Sequence, residues 1–435
     1  MKRRGLFWFR SDLRVNDMPA LHAMFETVDE AVFLFVIDER WLEKGPFDFY
    51  RMGRHRLRFM WESVLELAEQ LAEKGAELNV AIGKPAETVL EMARACGCDA
   101  VFGHKEHTHE ELEEERKVQE NMEVHWFESA TLIHPMDLPF EILELPEVFS
   151  RFRNRVEKKG LNVRPALEAP ERFPPGPSIK MPTLQEVGAR LERHMMNLQD
   201  KGNELTRRDA MSFQGGMRAG QERLEAYTFR SGMLSRYKQT RNGMLGWDYS
   251  SKFSPWLAWG CLSPREIYWK VQQYESQRES NESTYWLVFE LLWRDYFRFI
   301  AMKHGCKIWH KHGIKGIPLT VPKHRSLDFQ SWAMGTTVSD FVNANMRELS
   351  ATGFMSNRGR QNVASFAVHD LRLDWRAAAA WFEHHLIDFD PCSNTGNWLY
   401  VSGIGNDPRP QRKFDVEWQA NAYDPDRAFR RFWNE

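Results

Sequence analysis

Cysteine is scarce and unpaired in this chain. Cys96, Cys98, Cys261, Cys306 and Cys392 are odd in number and show no C-x-x-C spacing. That argues against a disulfide framework, a structural zinc site or an iron–sulfur cluster, and for a reducing compartment. Long apolar runs are also lacking: the longest, Ala31 to Ile37, is too short to span a bilayer. Met1-Lys-Arg-Arg carries a signal-like charge, but the stretch before Arg10 is too short for the apolar part of a signal peptide. The expectation is a soluble cytoplasmic protein with no metal and no membrane partner. Neither sign of charge is in excess. A net charge of −2 neither requires nor excludes a polyanionic partner, because a nucleic-acid binder can confine its basic residues to one face. There is no G-x-G-x-x-G, so the dinucleotide fingerprint is absent, and there is no internal repeat or low-complexity tract.

The 435 residues leave room for two or three domains, and composition shifts along them. Of 17 tryptophans, only Trp8, Trp41, Trp61 and Trp126 lie in the first 200 residues. Gly5–Phe9, Ala31–Ile37, Asn79–Ile82 and Ala100–Phe102 are short apolar runs that predict buried strands. Between them, Arg54–Lys74 places Leu57, Met60, Trp61, Val64, Leu67 and Leu71 at helix spacing. Strands alternating with helices predict an α/β domain, a doubly wound parallel sheet of Rossmann-like type, over residues 1–130. From Pro135 to about Gln199 the pattern turns irregular, and the prolines of Ala169-Pro-Glu-Arg-Phe-Pro-Pro-Gly-Pro mark a loop; residues 131–200 are expected to be a linker. From Gly215 onward strand signals vanish, which predicts an all-α domain over 201–435.

The charged segment from Phe9 to Leu21 follows the first strand, at the sheet edge where ligands usually bind; the simpler reading is a polar turn with Asp17 capping the next helix. Glu106 follows another strand and shares that edge. His104, His107 and His109 do not share a helical face, so a solvated acidic helix explains them better than a metal site. Ser250, Ser251, Lys252 and Ser254 gather hydroxyls and a cation just before Pro255, which can open a helix. Such a start makes a phosphate cradle, with an ordinary helix cap as the competing account. Glu290, Trp293 and Arg294 fall at i, i+3 and i+4 on one helical face. A carboxyl beside an aromatic plane suits an apolar site, where burial raises its pKa; an intrahelical ion pair with a core tryptophan is the alternative. Asn357 and Gln361 share a face, while Arg358 and Arg360 project elsewhere. So many donors among apolar residues need acceptors, which Asp388 and Asp390 can supply, followed by Asn394 and Trp398.

These segments together resemble one family. FRSDLR, DYSSKFSPWLAWGCLSPRE, ELLWRDYFRF, NANMREL, TGFMSNRGRQNVASF, DWR and DFDPCSNTGNW occur in order and are similar to the motifs of the photolyase/cryptochrome family. The Gln361-Asn362 pair and the run from Leu145 to Arg153 resemble its cryptochrome-DASH branch. The resemblance implies a helical C-terminal domain holding FAD, with Tyr237, Ser250, Ser251, Lys252, Phe253 and Ser254 on the phosphates. It pairs Arg360 with Asp388 over the flavin ring, gives Asp390 an acceptor role on the ring or ribityl side, and sets Asn394 at the nitrogen protonated on reduction. Glu290, Trp293, Arg241, Asn357, Arg358 and Gln361 would meet DNA carrying a cyclobutane pyrimidine dimer. Reduced flavin would split that dimer under blue light, in single-stranded or looped DNA. Photoreduction would run through Trp398 and Trp375, with Pro322 standing where the family's surface tryptophan falls, and with Tyr400 and Trp381 as other exits. Asn343 stands where the family usually has Asp, and Met18 where a polar residue is common. Glu106 would hold an antenna, 5,10-methenyltetrahydrofolate in many DASH members. The protein would act as a monomer. The competing expectations are a blue-light photoreceptor that signals to a protein partner with little repair, and a nucleotide-binding protein with no photochemistry.

Overall fold

The computed structural model describes residues 2–177, 179, 181–198, 211–318, 327–409 and 412–435. Strands β1 (Arg4–Phe9), β2 (Glu30–Asp38), β3 (Leu78–Gly83), β4 (Ala100–His104) and β5 (Glu123–Phe127) form one all-parallel sheet in the order 3-2-1-4-5. Helices α1 (Pro19–Thr27), α2 (Arg54–Glu73), α3 (Pro85–Cys96) and α4 (His109–Gln119) alternate with the strands. Both faces are covered, which is why the central strands read as unbroken apolar runs. Leu6, Trp8, Val32, Leu34 and Val36 face a core with Val89, Met92 and Val118. The alternate residues Phe7, Phe9, Phe33, Phe35 and Ile37 join a second core with Leu21, Met24, Leu57 and Leu67 that continues into the helical part. β5, which has no apolar run to announce it, is a partly exposed edge strand.

The stretch expected to be irregular holds two helices, α5 (Phe149–Lys159) and α6 (Leu184–Asn197). Phe149, Phe152 and Val156 form the buried stripe of α5, and α6 opens on a capping box between Thr183 and Glu186. The proline-rich segment between them has no regular structure, but it is pinned to the sheet. Phe173 packs on Phe25 and Phe33 with ring centroids 4.8 and 5.4 Å away, and Ala31 N donates to Pro175 O at 3.0 Å.

The helical part comprises α7 (Met217–Glu225), α8 (Tyr237–Thr240), α9 (Ser254–Ala258), α10 (Pro264–Gln277), α11 (Glu282–His304), α12 (Leu327–Ala333), α13 (Asp340–Thr352), α14 (Asn357–Ser365), α15 (Trp375–His385), α16 (Pro391–Val401), α17 (Val416–Tyr423) and α18 (Ala428–Asn434). It docks on the carboxyl edge of the sheet. Leu13 N donates to Trp259 O at 3.0 Å and Arg14 Nη1 to Gly260 O at 2.8 Å. A Cβ on Gly260, whose φ is +66°, would lie 2.2 Å from Ser11 O, so only glycine allows this approach. Asp295 on α11 accepts from Leu132 N and Ile133 N, each at 2.9 Å, and burial pushes its carboxyl up to about 6.

Asp17 does not cap α1: the N-cap is Met18, fully buried, with no side-chain cap bond. Asp17 is itself fully buried and pairs with Arg265 of α10 at 2.7 Å, accepting from Ser263 Oγ as well. Its carboxylate belongs to the seam between the two parts. Asn343 closes the loop before α13, accepting from Thr337 N at 2.7 Å and donating Nδ2 to Thr337 O at 2.8 Å. A carboxylate there would lack the second bond. Among the described residues no helix is long and apolar enough to cross a membrane.

Candidate functional site

A deep cavity opens inside the helical part, walled by α8, the segment running into α9, α11, α14, α15 and α16. It brings together Tyr237, Arg241, Ser250, Ser251, Lys252, Phe253, Ser254, Glu290, Asn357, Arg360, Gln361, Asp388, Asp390, Asn394 and Trp398. These residues come from segments as far apart as Tyr237 and Trp398, and their shared wall is a product of the fold.

The inner wall carries two carboxylate–guanidinium pairs. Asp388 Oδ2 accepts from Arg360 Nη2 at 2.7 Å and from Ser254 Oγ at 2.6 Å, while its Oδ1 is buried without a hydrogen-bond partner. Asp390 pairs with Arg298 at 2.5 Å and caps α16 by accepting from Ser393 N at 2.7 Å. Burial presses the Asp390 carboxyl upward, but Arg298 beside it and Arg294 behind it hold it below the usual carboxylate range. Each Asp390 oxygen has one protein donor, and each keeps a lone pair that can accept from a group in the cavity it lines. Asn394 donates Nδ2 to Ala379 O at 3.2 Å, which orients its amide.

Lys252 departs from the expected phosphate-facing cation. Its φ of +60° reverses the local chain, and the ammonium sits 3.3 Å from the Tyr249 ring centroid and 4.6 Å from that of Phe354. It is 2 % exposed and its Nζ has no hydrogen-bond partner. Burial drives its pKa well down against the pull of Glu348, whose own carboxyl burial pushes up to about 8. The cradle is held from outside by Arg223, which donates to Ser251 O at 2.9 Å and to Ser250 O at 3.0 Å.

At the mouth, Glu290 pairs with Arg241 at 2.5 Å and accepts from Trp286 Nε1 at 3.1 Å. Burial raises its carboxyl above the ordinary value, with Arg241 opposing. Asn357 and Gln361 complete this wall. Arg358 stands behind it, donating to Gln361 Oε1 and Asn242 Oδ1 at 2.9 Å each, with its guanidinium 4.4 Å from the Tyr423 ring. Trp293 is not on the cavity wall. Its ring stacks on Phe149 of α5 at 3.6 Å and 11°, with Tyr400 edge-on at 6.0 Å. Phe149 belongs to the Leu145–Arg153 run, which gives that run a structural reason.

Trp398 lines the cavity, and its ring neighbours are Phe382 at 5.2 Å and Trp332 at 6.3 Å. Trp375 is set back from the cavity, donating Nε1 to Lys311 O at 3.1 Å. Tyr400 accepts from Arg412 at 3.1 Å, and Trp381 packs on Phe49 at 5.2 Å. Pro322 lies outside the described residues.

Glu106 sits where the strand order reverses between β1 and β4, the position at which open α/β sheets usually bind ligands. Burial pushes its carboxyl up to about 7, with Arg10 and Arg298 opposing. Arg10 is held by Glu115 at 2.9 Å, with its guanidinium 4.7 Å from the Trp8 ring and 5.2 Å from the Trp126 ring. The three histidines are not on a solvated helix face as a group. His104 ends β4 and pairs with Asp12 at 3.0 Å, and the buried His107 precedes α4 and pairs with Glu128 at 2.9 Å. Among the described residues no His/Cys/Asp/Glu group could hold a metal.

Sequence reasoning missed Arg298, Trp286 and Arg223. The first two had a signal, each lying four residues from a chosen α11 residue (Arg294 and Glu290) and hence on its helical face. Arg223 had none, because its partners, the carbonyls of Trp247, Ser250 and Ser251 and the Asp248 carboxylate, lie on another segment more than 20 residues on.

Buried polar atoms without protein partners around an aromatic-walled cavity mark a built ligand site. The family described as "FAD binding domain of DNA photolyase" matches residues 286–434, and the family described as "DNA photolyase" matches residues 5–174. A cryptochrome DASH of Gloeobacter violaceus is 46 % identical, covering 98 % of this chain and 85 % of that protein. A cryptochrome of Synechocystis sp. PCC6803 superposes with a TM-score of 0.91 at 42 % identity, over 100 % of this chain and 89 % of that one. An archaeal photolyase of Sulfolobus tokodaii, described with two FAD molecules, gives 0.78 at 26 % identity over 99 % and 90 %. The chain belongs to the photolyase/cryptochrome family, in its cryptochrome DASH branch, and FAD is its cofactor. The unpaired Asp388 Oδ1 and the hydroxyl cluster of Ser250, Ser251 and Ser254 fit the hydrogen-bonding needs of that cofactor.

Proposed function

We propose that the protein is a blue-light-dependent enzyme that repairs cyclobutane pyrimidine dimers in single-stranded or looped DNA, acting as a monomer in the cytoplasm. Reduced FAD supplies, under blue light, the electron that opens the cyclobutane ring. The residues around it bind, orient and stabilise. Ser250, Ser251 and Ser254 hold phosphate oxygens, Arg360 and Asp388 fix the isoalloxazine edge, and Asn394 accepts at the ring nitrogen.

The observation that carries this reading is Glu290. A partly buried carboxyl with a raised pKa stands on the cavity wall beside Asn357 and Gln361, where it can hydrogen-bond a pyrimidine carbonyl and stabilise the charge that develops there. Trp398, also on the wall, suits electron delivery from the protein, with Trp332 beside it and Trp375 as a further step of the relay. Arg241 and Arg358 suit the strand that presents the lesion, and Trp293, stacked behind the wall, supports it. We also assign Glu106 to a folate antenna, in keeping with its place at the switch point of the sheet. A near-ultraviolet band beyond that of FAD, lost in Glu106→Gln, checks that assignment.

The deciding experiment is repair of a dimer-containing oligonucleotide by the reduced, illuminated protein. Wild type should restore it. Glu290→Ala should lower the yield per absorbed photon by about tenfold, the scale of one hydrogen bond to a charged group, with FAD still bound. A dark-like result in wild type overturns the reading in favour of a photoreceptor.

A further inference from the structure

Trp286 has no part in the set that defines the cavity, yet it touches the residue on which the proposed chemistry turns. It lies one helical turn before Glu290 on α11, and its ring is held against Phe289 with centroids 4.7 Å apart. Lys238 Nζ lies 4.9 Å from that ring and the Arg241 guanidinium 5.8 Å. Its indole N–H donates to Glu290 Oε1 at 3.1 Å. Arg241 Nη2 reaches the same oxygen at 2.5 Å. Among the described residues no hydrogen bond or ion pair reaches Oε2, and the Glu290 side chain keeps 28 % of its surface accessible.

We infer that Trp286 is a positioning residue which, together with Arg241, occupies Oε1 of Glu290 and leaves Oε2 as the oxygen presented to a pyrimidine in the cavity. This rests on the repair reading above and names a residue that reading does not need.

The chemistry follows from lone-pair accounting. A carboxylate oxygen that already accepts from a guanidinium and an indole N–H is a poor seat for a proton, because protonation there would set two donors against a third hydrogen. When Glu290 takes up a proton, it therefore takes it on Oε2 and donates from Oε2 to the ligand. A neutral N–H is suited to this task. It holds the carboxylate in one rotamer without adding a second positive charge, which would keep Glu290 ionised. The groups that bear on this carboxyl are Tyr237 of α8 and Arg241 at its C-cap, with Lys238, paired to Glu282 at 2.9 Å, and Arg358 of α14, paired to Gln361, standing further off. Asn357 and Gln361 are neutral at any working pH.

The test follows the carboxyl stretch of Glu290 by infrared spectroscopy against pH in the flavin-loaded protein, with the band assigned by its loss in Glu290→Gln. In Trp286→Phe, which keeps a ring of similar shape but lacks the N–H, the midpoint should move to higher pH, because a donor to the ionised form has gone. Trp286→Leu should show the same shift. An unmoved midpoint in both overturns the inference. The second arm is dark binding of a dimer-containing oligonucleotide. Trp286→Phe should weaken it about threefold to tenfold when Glu290 is present and leave it unchanged in a Glu290→Ala background. Equal losses in both backgrounds would make Trp286 a direct DNA contact or a packing residue and overturn the inference. If wild type neither binds nor repairs the oligonucleotide, the functional reading fails, and the infrared midpoint still decides the role of Trp286.

Discussion

The two ends of the cavity use the same chemistry to opposite effect. On the inner wall, Arg298 and Asp390 are 5 % and 7 % exposed at the side chain, and Asp388 is 2 % exposed beside an Arg360 that keeps 26 %. At the mouth, Arg241 and Glu290 keep 18 % and 28 %. The inner Asp390 is held below the usual carboxylate range by its cations, whereas the mouth carboxyl is raised by burial in spite of its cation. Asp390, with two cations beside it and a donor on each oxygen, has its charge fixed, whereas Glu290, with one cation and one oxygen left over, keeps its protonation adjustable. The inner end is built for holding, and the mouth for exchanging a proton.

The largest effect should come from Asp390→Ala. It strands Arg298 in the core and removes the cap of α16, so a loss of about 3–5 kcal/mol is expected, read as a fall in thermal midpoint and in flavin per chain. Asp388→Ala should cost less, on the order of 3 kcal/mol, because Arg360 can turn to solvent. If the two variants lose equally, the distinction between a sealed and a half-sealed pair is wrong.

The pH response should differ in sign. Asp390 is depressed in the folded state, so its contribution is present above the unfolded aspartate value of about 3.9 and is lost as pH falls through the folded value. Glu290 is raised, so the folded chain keeps a proton that the unfolded chain has released. Its contribution is complete below the unfolded glutamate value of about 4.3 and is lost as pH rises through the folded value. Glu290→Gln should therefore flatten the decline of the thermal midpoint on the alkaline side of that window. A steeper decline in the variant would reverse the assignment. The smallest change in stability, about 1 kcal/mol, belongs to Trp398→Phe, which preserves an aromatic ring against Phe382. That variant should nevertheless lose light-driven flavin reduction in transient absorption, separating function from packing at this wall.

The sheet was legible because each inner strand is an apolar run on its own, with the two faces alternating along it. β5 was not, because an edge strand with a half-wet face carries no such run. α5 and α6 were hidden by their charge: Arg and Lys dominate the exposed face of α5, and only three positions carry its buried stripe. In the cavity, the ordered motifs marked the wall residues by type, but not which oxygen accepts from which donor. Lys252 shows why. Its residue type suggests a phosphate partner, while the fold brings Phe354, about a hundred residues away, to sit with Tyr249 against its ammonium. Asp17 shows the same limit from the other side, since a short-range cap and a pairing with Arg265 across 248 positions look alike until the chain is folded.

That long reach sets an order of events in time. Synthesis runs from the N-terminus, and domains generally fold as units while it proceeds. The strands up to Phe127 emerge well before Trp259, Gly260 and Arg265. Until those arrive, the Ser11–Asp17 turn has neither the carbonyl that takes the Leu13 N–H nor the guanidinium that neutralises Asp17. The nascent sheet must wait with a charged, strained loop at its rim, and the later helices close it like a keystone. A chain halted before residue 253 should therefore hold its sheet but expose that rim to proteases, and release of the remaining residues should protect it.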